Sequence, residues 1–120
     1  MVQALLQELA TKLDRLVREG HADSIDLRRL PLPPGALEAL RSWFGQGEIE
    51  ASVKALGMTS IRETAVAGVW WVQQTKPGGE SIGEGLAITC CPDLLATHVD
   101  DVRAAAESLQ LRLNALSGLS

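Results

Sequence analysis

The chain is poor in the residues that metal, redox and disulfide scaffolds rely on: its 120 residues include two cysteines and two histidines. Cys90 and Cys91 are adjacent, and a vicinal disulfide is strained and rare, so they do not make a secreted framework. A zinc site wants four ligands, three at the least. Cys90, Cys91, His21 and His98 lack CxxC spacing, so the residues point to buried, reduced thiols and to no metal or other cofactor. Long apolar runs are also missing; each falls far short of the roughly 20 residues that span a bilayer. The start, MVQALLQELATKLDRL, carries acids and lacks a basic opening and a small-residue cleavage site, which argues against a signal peptide and for a soluble, cytoplasmic protein without a membrane partner. Basic blocks are absent: eleven Lys and Arg are scattered over a chain of net charge −4, with Arg28-Arg29 as the one adjacent pair. A nucleic-acid partner, which needs a basic surface facing phosphates, is therefore not expected. Aromatics make up 3% of the chain, yet two of its three tryptophans, Trp70 and Trp71, stand side by side.

What is present reads as one α+β domain over residues 1–120. The hydrophobic fraction of 46% and charged fraction of 22% are globular values, and this length suffices for one core. Val2, Leu5, Leu6, Leu9, Leu13, Leu16 and Val17 form a helical stripe that Gly20 terminates. Ile25, Leu27 and Leu30 suggest a short extended piece, which Pro31, Pro33 and Pro34 keep out of a helix. A second helix starts near Pro34, presents Leu37, Leu40, Trp43 and Phe44, and ends at Gly45 and Gly47. From Glu48 the period changes to two: Ile49, Ala51, Val53 and Ala55 alternate with polar residues. SIRETAV and GVWWVQQT read as further strands divided near Ala67-Gly68, and KPGGE turns the chain into SIGEGLAITC, making a hairpin. Helical period returns after Pro92, with a capping signal in THVD at 97–100 and a seam of Val99, Val102, Ala106, Leu109, Leu113 and Leu116. Clustered strands imply an antiparallel sheet of about three to four strands, packed against the N- and C-terminal helices.

No phosphate loop, GxSxG elbow or HExxH motif is present, and His98 beside Asp100 and Asp101 reads as a solvated helix start. Glu63 and Glu84 are acids inside apolar strand patterns. Paired strand carboxylates could do acid–base work if buried, but no nucleophile accompanies them, so both are expected to face water. Neighbours on a strand point to opposite faces. Trp70 and Trp71 are assigned as inward, with Val72, and outward, respectively; the alternative is that both pack, one under each layer of a covered sheet. Residue chemistry thus favours binding over catalysis.

The segments IDLRRLPL (25–32), GQGEI (45–49), IRET (61–64) and GVWWV (68–72), in that order, resemble the C-terminal domain of the HupH/HyaF family of hydrogenase expression and formation proteins. Longer members of that family carry a preceding domain. The resemblance implies a non-enzymatic accessory or chaperone for maturation of [NiFe] uptake hydrogenase, whose partner is the iron–sulfur small subunit or another assembly protein. It places Arg62, Glu63, Thr64, Gly68, Trp70, Trp71 and Glu84 in a partner-binding surface. The competing expectations are a small-ligand pocket or enzyme site near Arg62, Glu63 and Glu84, and cluster or metal handling by Cys90 and Cys91. A homodimer through a sheet edge or the last helix's seam fits any of these.

Overall fold

The computed structural model describes residues 2–55 and 57–116. Its centre is an antiparallel meander of β2 (Glu50–Ala55), β3 (Gly57–Glu63), β4 (Val69–Thr75) and β5 (Ser81–Ile88). A further strand, β1 (Asp23–Asp26), pairs with β5, so the sheet has five strands in the order β1-β5-β4-β3-β2. The extended piece around Ile25 is thus a sheet member, which raises the strand number above the three to four expected. Leu56, which the alternating pattern assigns to a strand, and the side chain of Ala55 lie outside the described residues.

One face of the sheet is covered by α1 (Val2–Glu19) and α2 (Ala36–Phe44). Apolar residues at helical spacing on both helices meet every second residue of the central strands. Leu5, Leu9, Leu40 and Phe44 pack there on Ile25, Val69, Trp71, Leu86 and Ile88. Glycines end both helices: Gly20 and Gly45 take the left-handed φ values of 67° and 65° that side-chain-bearing residues avoid. On β2 and β3 the same side of the sheet is polar but for Met58, which is exposed. Glu50 pairs with Arg62, Ser52 with Ser60 and Lys54 with Met58, so the helical layer stops at β4.

The opposite face carries Ile61, Trp70, Val72 and Ala87, brought together by the pairings Ile61–Val72 and Trp70–Ala87. The chain after β5 crosses this face. Pro92 is buried, and a single 3-10 turn, Asp93–Leu95, lies against the far strands. Two adjoining hollows of about 500 and 420 Å³ remain beside it, sharing Ser24, Val72, Ala87 and Leu94.

The last helix, α3 (Val99–Ala115), departs from expectation. All its residues are exposed, so it does not pack on the sheet or on α1. Both sheet faces are already occupied, by α1 and α2 on one side and by the 92–95 segment on the other, and the molecule extends 65 Å along its long axis. Its N-cap is His98, whose Nδ1 accepts from the Asp100 amide at 3.1 Å, one residue later than the THVD pattern places it.

An ion pair ties α1 to β1: Lys12 Nζ donates to Asp23 at 2.7 Å. The Lys12 hydrogen bond, with help from the Ser24 amide, holds the Asp23 carboxyl below its ordinary value of 3.8. The same bond raises Lys12 above 10.5. The Asp23 contribution is therefore present above the ordinary carboxylate value and is lost as pH falls through the depressed one. The Lys12 contribution is present below 10.5 and is lost as pH rises through the raised value. Asp23→Asn is expected to lower the melting temperature by a constant amount at neutral pH. The gap to wild type should close in acid and again in strong alkali, as thermal melts across pH would show.

Candidate partner-binding site

The two tryptophans of β4 point to opposite faces and both are buried, Trp70 at 3% and Trp71 at 2% exposure. The assignment of Trp70 to the core and Trp71 to the outside is therefore corrected. Trp71 shares its side with Val69 and enters the core beneath the helices, while Trp70 packs under the 89–95 segment with its Nε1 donating to the Thr89 carbonyl at 3.0 Å. Both faces of the sheet are covered, so each indole has a place to pack.

Around Trp71 the structure assembles three charged groups, Glu84, Arg41 and Arg62. Glu84, on β5, projects to the helix side with Leu86 and Ile88 and is buried. One of its oxygens accepts from Trp71 Nε1 at 2.7 Å, from Arg41 Nε at 2.9 Å and from Arg41 Nη2. A buried carboxylate requires such partners, and here they clamp α2 to the β4–β5 hairpin. The expectation that Glu84 faces water is corrected: its parity with Leu86 and Ile88 puts it on the covered side, a signal the alternation already contained. Arg41 and Arg62 lie 5.6 and 5.7 Å from the Trp71 ring centroid, within cation–π range. Arg62 has no ion-pair partner among the described residues.

The remaining motif residues do other work. Glu63 pairs with Trp70 and so lies on the face opposite Glu84. The two carboxylates do not converge, which removes the geometry an acid–base pair needs. Thr64 is buried; its hydroxyl binds the Val66 and Val69 carbonyls and accepts the Val66 amide, building the turn between β3 and β4. Gly68 takes φ 89° in that turn, and a side chain there would press on Leu13 at 3.3 Å. Neither of the two hollows is lined by Arg62 or Glu63, so neither joins Arg62, Glu63 and Glu84.

Sequence reasoning missed Arg41 and the exposure of Trp43. By its spacing Trp43 belongs to the apolar face of α2, yet it is 62% exposed. Leu40 and Phe44, one turn apart, already fill the buried stripe. Trp43 stacks edge-on against Phe44 with centroids 5.0 Å apart, and Phe44 meets Trp71 at 6.2 Å. Cys90 and Cys91 are both free and exposed, not buried. They lie in the bend before Pro92, where the Thr89 hydroxyl accepts the Cys91 amide at 3.2 Å. Among the described residues no group of three or more His, Cys, Asp or Glu is placed to hold a metal ion.

Comparison with known proteins decides the relationship. The model of the HupH hydrogenase expression protein, C-terminal conserved region, matches residues 1–116. The chain belongs to this family. It is 36% identical over 114 residues to the hydrogenase expression/formation protein HupQ of Azotobacter chroococcum mcd 1, covering 93% of this chain and 37% of that protein. It is also 36% identical over 94 residues to the hydrogenase expression/formation protein HoxQ of Azotobacter vinelandii, covering 77% of this chain and 32% of that one. The chain thus spans about a third of the length of both relatives. The structure of the hydrogenase expression protein HupH from Thiobacillus denitrificans ATCC 25259 matches with a TM-score of 0.88 and 38% identity, over 93% of each chain. The α+β fold is therefore that of this family. Among the described residues no helix is long and apolar enough to cross a membrane.

Proposed function

We propose that this chain is a non-catalytic docking domain in hydrogenase maturation. Its partner in this reading is the iron–sulfur small subunit or another assembly protein, met in the cytoplasm. The observation that carries the reading is the exposed Trp43, linked through Phe44 and Trp71 to Arg62, a guanidinium without an ion-pair partner among the described residues, in a family whose relatives are named for hydrogenase expression and formation. Tryptophan and arginine dominate the energetics of protein interfaces, and the buried Trp71–Glu84–Arg41 clamp holds both groups on a rigid base. Arg62 supplies a cation for an acidic group of the partner. Of the other motif residues, Trp71 and Glu84 support this surface from below, Thr64 and Gly68 fix the β3–β4 turn, and Trp70 and Glu63 lie on the opposite face of the sheet, outside it.

The test is affinity capture from hydrogenase-producing cells with wild-type, Trp43→Ala and Arg62→Glu baits. The wild-type bait should retain a hydrogenase subunit or assembly protein. Trp43→Ala should reduce retention by about tenfold or more, the loss of a hot spot worth roughly 2 kcal/mol, with melting temperature unchanged. A wild-type bait that retains no hydrogenase protein overturns the reading.

A further inference from the structure

Helix α3 leaves a complete apolar stripe without a partner among the described residues of its own chain. Val99, Val102, Leu109, Leu113 and Leu116 are 51–62% exposed. We propose that this stripe is the interface between two copies of the chain, with their α3 helices paired antiparallel about a two-fold axis.

The stripe is self-complementary in that direction. With Ala106 it runs 3-4-3-4-3, so a reversed copy sets Val99 against Leu116, Val102 against Leu113 and Ala106 against Leu109. The smaller residues all lie in the first half and the leucines in the second, so each layer combines one small and one large side chain. A parallel pair would instead oppose Ala106 to Ala106 and leave a void, which well-packed interfaces avoid. Charge points the same way. The first half carries Asp100, Asp101, Arg103 and Glu107, and the second carries Arg112. Reversal brings Arg112 of the second copy within about a turn of Asp101 on one side of the seam and sets each helix dipole against its opposite; a parallel pair would bring the acidic turns together. A helix of 17 residues is about 25 Å long. Two such strips bury less than the roughly 1,200 Å² of a tight complex, so the dimer is concentration-dependent.

Light scattering on the whole chain tests this. Wild type should approach twice its 12.8 kDa monomer mass when concentrated and fall back on dilution. Leu109→Asp should stay monomeric and, in dilute solution where the wild type is monomeric too, should melt at the same temperature, because α3 has no buried residue. Orientation is read by cross-linking under air with Cys90 and Cys91 replaced by serine. Val102→Cys together with Leu113→Cys should link two chains, since these positions are too far apart to join within one helix, while Val102→Cys alone should not. A wild-type chain that remains monomeric to about 100 µM, a dimer that survives Leu109→Asp, or linking by Val102→Cys alone overturns the proposal.

Discussion

Glu84→Ala is expected to lower the free energy of unfolding by about 3 kcal/mol, the lower end of the range for breaking a buried ion pair. The substitution strands two donors at once. The Trp71 indole N–H loses its acceptor in a buried site, and the Arg41 guanidinium loses its counter-charge. Arg41 is 34% exposed and can turn part of its charge to water, which is why the cost stays at the lower end. Glu84→Gln keeps an acceptor for the indole and should cost about 1–2 kcal/mol, one buried hydrogen bond with a charged group. Arg41→Ala should cost at least as much as Glu84→Ala, because it leaves the carboxylate, 5% exposed, without its cation. The double variant should cost less than the sum of the two single ones, as contacting residues are not additive. Urea unfolding of the four proteins measures all of this. Additive losses would show that Arg41 and Glu84 act separately.

Trp70→Ala and Trp71→Ala are each expected to destabilise the fold by about 3–5 kcal/mol, the cost of emptying a buried indole site. Assigning one indole to solvent predicted an asymmetric pair, with one variant hurting folding and the other hurting binding. Burial of both predicts symmetry. It also predicts that Trp43 alone is reached by solvent. Iodide should quench one component of the fluorescence, and that component should disappear in Trp43→Phe. A Trp71→Ala protein that melts like wild type would contradict the core described above.

How far the chain could be read depended on whether the deciding contact is local. Helix boundaries at Glu19 and Phe44 follow from glycines that act within one turn, and the β4–β5 hairpin follows from the Lys76–Glu80 turn between two alternating runs. The strand β1 was hidden because Asp23–Asp26 is four residues with two acids, and it becomes a strand only by pairing with Gly85–Ile88, some sixty residues later. The motif residues were found, but their grouping was not. Register sets Arg62 opposite Trp71 and Glu63 opposite Trp70, so adjacent residues in IRET serve different faces. Arg41 and Trp43, on another element, carry no motif signal and gain their meaning from what lies beneath them.

The sequence by itself determined the α+β class, the family and the amphipathic character of each helix, because periodicity and short motifs are properties of neighbouring residues. Tertiary structure alone decided which covering each face receives. A period of two says that Trp70 and Trp71 diverge, but only the layers on both sides of the sheet make both of them interior. The seam of α3 says that a face seeks burial. Only the finished fold, with α1, α2 and the 92–95 segment already on the sheet, leaves that face outside.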